Sequence, residues 1–188
     1  MQFKTKDKEI EPNQIASLLT THFSSLMSEF YEMQTIFLGE RYKFHGSLQT
    51  ANIVICFIKN THLEIIRQRE KKLNFDLSLN NFWENLQNIH IAKQKVVSIV
   101  NTTGIPKETV RRKLKTLIKN DFMKIDNNKE YYWNLTSKRK ENYFKVVKSD
   151  IVAISKFIVG ISKCLNLNLS LKEVEKEINE QFSFYFYH

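Results

Sequence analysis

Gly104-Ile-Pro-Lys-Glu-Thr-Val-Arg-Arg-Lys-Leu-Lys-Thr-Leu-Ile118 decides how the rest of this chain is read. Its apolar residues Val110, Leu114, Leu117 and Ile118 stand at offsets of 0, 4, 7 and 8, which places them on one face of a helix. Gly104 offers a backbone position that tolerates positive φ, and Pro106 pre-sets the first helical turn. With Val110 and Leu114 inward, Lys107, Glu108, Arg111, Arg112 and Lys115 point outward, and Thr109 lies near the helix start. Long cationic side chains beside a short hydroxyl suit phosphate oxygens and guanine edges.

The charge of the chain is concentrated around this stretch. Residues 91–148 hold 15 Lys and Arg against 5 Asp and Glu, a net of +10, whereas the rest holds 14 against 15. A basic block that coincides with a turn and helix is the electrostatic footprint of a nucleic-acid-binding face. Upstream, Val96, Val97, Ile99 and Val100 predict a helix over Ala92–Thr102, joined through the tight turn Thr103–Pro106. Downstream, Phe122–Ile125 and Glu130–Leu135 read as two strands around the hairpin Asp126-Asn-Asn-Lys129. Lys124, Asn127, Asn128 and Lys129 sit near its tip, and Tyr131, Tyr132 and Trp133 would anchor it.

From Lys95 to Leu135 the chain resembles the winged helix–turn–helix of bacterial transcriptional regulators. The run Thr103-Gly-Ile-Pro-Lys-Glu-Thr-Val-Arg-Arg-Lys-Leu-Lys-Thr-Leu is similar to the recognition-helix region of the MarR, IclR and GntR families. Trp133-Asn-Leu-Thr-Ser-Lys-Arg resembles the point where MarR-type chains leave the wing for a long dimerisation helix. The likeness is specific over these residues and architectural elsewhere. The N-terminal helical part is longer than in such relatives, the wing offers Lys129 and two Asn where they often carry Arg, and Lys113 stands where many keep a small apolar residue.

Outside the basic block the pattern is helical. Only four Gly and two Pro occur in 188 residues, too few for a many-stranded β fold. Ile15, Leu18, Leu19, Phe23, Leu26, Phe30, Met33 and Phe37 predict a long helix over Glu9–Phe37, ended by Gly39. Gly46 and Ser47 open a second, to about Lys72, whose middle Ile53–Ile58 is apolar on every side and so predicts burial nearly all round. Leu73–Leu79 reads as a connector, and Asn80–Ile89 as a short helix with Phe82, Trp83 and Leu86 inward. Phe144, Val147, Ile151, Ile154, Ile158, Ile161 and Leu165 then step by three and four, an a/d stripe that suits a homodimer seam or a helix packed within its own subunit. Ser170 with Glu173 predicts the start of a last helix, to about Phe182.

Several function classes are disfavoured. The histidines at 22, 45, 62, 90 and 188 show no metal-ligand spacing, and no phosphate loop, nucleophile elbow or HExxH is present. No constellation supports an enzyme or a cofactor. Cys56 and Cys164, each in an apolar helical pattern, read as free thiols of a reducing compartment. Met1-Gln-Phe-Lys-Thr-Lys-Asp-Lys lacks the apolar core of a signal peptide, and the run Ala51–Ile58 is too short to span a membrane. The expected location is the cytoplasm.

The sequence therefore predicts a mainly α protein carrying a winged helix–turn–helix with a small hairpin wing, flanked by long dimerisation helices. The divisions are 1–90, 91–136 and 137–188. The expected role is a homodimeric, sequence-specific DNA-binding transcriptional regulator. The expected contacts come from Lys95, Thr103, Lys107, Glu108, Thr109, Arg111, Arg112, Lys115, Lys124, Asn127, Asn128 and Lys129. The resemblance adds a small-molecule effector of unknown identity as a further partner. The alternatives are a replication-initiator or nucleoid-type DNA binder and a winged-helix protein-interaction module.

Overall fold

The structure, a computed structural model, describes residues 12–71, 82, 91–134, 137–164 and 169–187. In chain order these form α1 (Pro12–Thr21), α2 (Phe23–His45), α3 (Leu48–Lys71), α4 (Val96–Thr103), α5 (Lys107–Lys119), β1 (Met123–Ile125), β2 (Tyr131–Trp133), α6 (Ser137–Cys164) and α7 (Leu171–Tyr187). The described residues are mainly helical, with one two-stranded antiparallel sheet. The expected connector Leu73–Leu79, Trp83 and Leu86 of the expected Asn80–Ile89 helix, and Leu165 lie outside the described residues. Phe82 is helical and buried, its ring stacked on His62 at 5.1 Å.

The chain divides into two compact units. Residues up to Glu40 and from Phe144 onward form one, and Arg41–Tyr143 the other. This grouping cuts across the linear three-part division, because α3 packs on α4 and β2 and so belongs with the basic block.

Within Arg41–Tyr143 the core is built from one apolar face of each short element. Ala51, Ile53, Val54, Cys56, Phe57 and Ile65 of α3 are buried, as are Ile99 of α4, Ile105 of the turn, Val110, Leu114 and Leu117 of α5, and Met123 and Trp133 of the hairpin. The expectation that the middle of α3 is buried all round needs correcting. Asn52, Ile55 and Lys59, spaced three and four apart, form an exposed lane, with Ile55 at 37 % exposure. Ser47 starts α3, accepting a hydrogen bond from the Thr50 amide at 3.2 Å.

Three expected boundaries differ from the observed ones: the end of α2, the start of α4 and the end of α7. Gly39 does not end α2, which continues to His45 and stops at Gly46, at φ +71° and with its amide donating to Tyr42 O at 2.8 Å. Glycine permits a left-handed stop but does not impose one. Here the helix goes on because Phe44 and His45 pack against Phe122, at ring separations of 5.5 and 5.6 Å. A one-residue interruption at His22 separates α1 from α2, yet His22 N to Leu18 O and Leu26 N to His22 O bridge it. Likewise residues 92–95 are not helical. Gln94 instead exchanges both backbone hydrogen bonds with Tyr131, each 2.8 Å, and so adds a bridge beside β2.

In the other unit, α6 lies against α2 through Phe157 and Phe30 (5.9 Å), Lys156 and Glu32 (3.7 Å), and Gly160 beneath Glu29. Phe144 meets Phe182 of α7 edge-on at 6.3 Å, and both are buried. Ser170 accepts from the Glu173 amide at 3.4 Å, the expected start of α7, which runs to Tyr187 rather than stopping near Phe182.

Candidate nucleic-acid interface

The local chemistry of the turn fixes how α5 is presented. Gly104 adopts φ +68° and its amide donates to Val100 O at 2.8 Å, closing α4. Thr103 Oγ1 donates to Ile99 O at 2.7 Å and accepts from the Ile105 amide at 3.2 Å. Ile105 is buried beneath the turn. The hydroxyl of Thr103, expected at the interface, is thus engaged inside the turn.

At its far end α5 closes with Asp121 at φ +58°, where Phe122 N donates to Leu117 O and Asp121 N to Ile118 O. A left-handed aspartate is strained, and Asn134 offsets this by donating through Nδ2 to Asp121 O at 3.0 Å and to its Oδ1 at 2.7 Å. The approach to α5 is therefore fixed by the bonds of the α4–α5 turn and its C-terminal end by Asp121 and Asn134, while Pro106 at its start carries no side-chain cap.

With Val110, Leu114 and Leu117 buried, the outward lane of α5 is Glu108, Arg112, Lys115 and Lys119, all exposed, with Lys107 exposed at its start. Arg111 flanks the lane, and its Nη1 donates to Glu108 Oε1 at 2.6 Å. Thr109 is half-buried. Lys113 turns away from the lane and donates to Ser47 Oγ at 3.0 Å, which ties α5 to the start of α3.

The hairpin pairs Met123 with Trp133, Lys124 with Tyr132 and Ile125 with Tyr131. Asp126 shapes the turn: its Oδ1 accepts from the amides of Asn128 (2.9 Å) and Glu130 (3.0 Å), and Lys129 takes the left-handed position at φ +58°. Lys93 Nζ donates to Asp126 Oδ2 at 2.8 Å and lies 5.7 Å from the Tyr132 ring centroid. That bond holds the Asp126 carboxyl below its ordinary pKa and raises the Lys93 ammonium. Lys95, expected to face nucleic acid, is exposed, with Glu130 at 4.0 Å. Trp133 is buried against Tyr143, rings 5.0 Å apart, while Tyr131 and Tyr132 are half-buried. The exposed tip carries Lys124, Asn127, Asn128 and Lys129.

Sequence reasoning did not find Lys93, Gln94, Asn134 or the inward use of Lys113. Lys93 meets Asp126 across 33 positions and Lys113 meets Ser47 across 66, separations that leave no local signal.

The a/d stripe divides by position. Phe144 is buried within its own unit, Val147, Ile151 and Ile161 are half-buried, and Ile154 and Ile158 are 43 % and 50 % exposed. Among the described residues no group of three His, Cys, Asp or Glu could hold a metal ion, and no helix is long and apolar enough to cross a membrane. Comparison with protein-family models, with curated proteins and with solved structures gives no match.

Proposed function

We propose that this protein binds double-stranded DNA as a homodimer, through a winged helix–turn–helix formed by residues 91–134, and regulates transcription rather than catalysing a reaction. In this reading α5 is the recognition helix and the β1–β2 hairpin is the wing. The observation that carries it is the outward lane of α5, where, among the described residues, Arg112, Lys115 and Lys119 stand exposed and free of ion pairs on a helix closed at its C-terminal end by Asp121 and Asn134. A rigid cationic helix of this kind can enter the major groove without first being ordered. The extended Gln94 segment supports the reading as well, since it anchors the hairpin on its inner strand and leaves the Lys129 tip projecting.

Pairing would proceed through the open part of the α6 stripe, Ile154 and Ile158, presenting two recognition helices to half-sites about one helical turn apart. The test is duplex binding across a salt series. With ~6–10 phosphate contacts per dimer, log affinity should fall against log salt with a slope of roughly −5 to −9. Arg112→Ala should weaken binding by roughly 1–3 kcal/mol if Arg112 meets a base. A slope near zero, together with an unchanged Arg112→Ala protein, would refute the nucleic-acid reading.

A further inference from the structure

The outward lane of α5 contains one residue that ought not to be there if its only task were to attract phosphate. Glu108 is highly exposed, with a side chain 78 % accessible, and shares its lane with Arg112 and Lys115. A carboxylate at this place repels a phosphodiester backbone and lowers affinity for every duplex alike. Its carboxylate has nonetheless a definite arrangement: it selects Arg111, three residues on, at 2.6 Å, and leaves Arg112, four residues on, free.

The pair is chemically suited to one base pair. Only one guanidinium nitrogen of Arg111 is bonded to Glu108, so other donors of the fork remain for guanine O6 and N7. The second carboxylate oxygen of Glu108 remains an acceptor, and cytosine N4 is a major-groove donor. A G·C pair places those guanine acceptors and that cytosine donor side by side, matching an arginine fork and a carboxylate already held together. We propose that Glu108 is a specificity-determining residue, which together with Arg111 reads one G·C base pair in the major groove, Arg111 donating to the guanine and Glu108 accepting from the cytosine amino group. This rests on the DNA-binding reading above. The cost in general affinity then becomes discrimination: a base pair that puts a carbonyl acceptor or a methyl group where the cytosine amino group would stand leaves the carboxylate unpaired.

The experiment selects bound duplexes from a random pool with the full-length protein, then titrates duplexes varied at each preferred position. Wild type, Glu108→Ala, Glu108→Gln and Arg111→Ala are compared, with circular dichroism to confirm the fold. Glu108→Ala should bind arbitrary duplex severalfold more tightly and lose about tenfold or more of its preference at a single G·C position. Arg111→Ala should lose preference at that same position. Glu108→Gln should move the preference toward A·T, because an amide can pair with adenine N6 and N7. If Glu108→Ala raises affinity for all duplexes by one common factor and leaves every preference unchanged, the proposal is overturned and Glu108 is only a charge at a helix start. If wild type binds no duplex at all, the DNA-binding reading has failed, and the proposal falls with it.

Discussion

Replacing Gly39 and Gly104 by alanine should change stability in opposite directions. Gly39 lies within α2, and an added Cβ would meet nothing within 4 Å. Alanine there removes the entropy cost of glycine in a helix at no steric expense, a gain of roughly 0.5–1 kcal/mol. Gly104 also has open space for a Cβ, but its φ is +68°. The whole cost of Gly104→Ala is therefore backbone strain, roughly 1–2 kcal/mol. The two variants should differ by about 2 kcal/mol, with melting temperatures moving roughly 2–4 °C per kcal/mol. Gly160→Ala is an intermediate case, because its Cβ would stand 3.1 Å from Glu29 Cγ, and the gain survives only as far as that flexible side chain gives way. Thermal and urea melts followed by circular dichroism would measure all three. If Gly39→Ala lowered stability by about 1 kcal/mol, Gly39 would be a left-handed helix end, as its sequence context predicts, and the continuation of α2 to His45 would be refuted.

Two other perturbations address assembly and pH. Ile154→Asp should give a folded monomer with weakened duplex binding, because Ile154 is 43 % exposed within the chain while a charge in a dimer seam costs several kcal/mol; wild type should sediment near twice 22.4 kDa, and a wild type still monomeric at tens of micromolar would reject the seam. His45 has a buried, unpartnered Nδ1, and burial, then the Arg41 guanidinium, push its pKa down to about 4. The unfolded chain therefore takes up the proton first, so stability should fall as pH drops from about 6.5 toward 4, by roughly 1–2 kcal/mol after discounting for partial exposure, and stay level above that window. His45→Phe should flatten most of this slope in melts across that range; burial lowers His62 in the same direction, so some slope will remain, and an unchanged slope would refute the assignment to His45.

The parts legible in the sequence are those written in short-range spacing. The α4–α5 turn, the face of α5, the hairpin and the start of α7 each depend on residues a few positions apart, and each stands near its expected place. The misjudged parts depend on distant partners. Gly39 looks like a stop because its neighbours cannot reveal that Phe44 will meet Phe122. Residues 92–95 look helical because Val96 and Val97 follow, while the partner that draws Gln94 into an extended form is Tyr131. The direction of a basic side chain on α5 can be read from its phase, as for Arg112 and Lys115, but the use of Lys113 to hold Ser47 cannot.

The same distinction explains how a segment with modest net charge can present a strongly cationic face. Between residues 91 and 134 there are ten Lys and Arg and four Asp and Glu. Asp126 is engaged by Lys93 and two backbone amides, Asp121 by Asn134, and Glu130 lies 4.0 Å from Lys95. These carboxylates are used in shaping the hairpin and closing α5. Lys107, Arg112, Lys115, Lys119, Lys124 and Lys129 are left exposed on α5 and the hairpin. Three to five such contacts per subunit correspond to the ~6–10 per dimer behind a salt slope of roughly −5 to −9. Glu108 is the one carboxylate of the four on the outward lane of α5, and its position among these exposed cations is what the proposed reading of a G·C pair rests on.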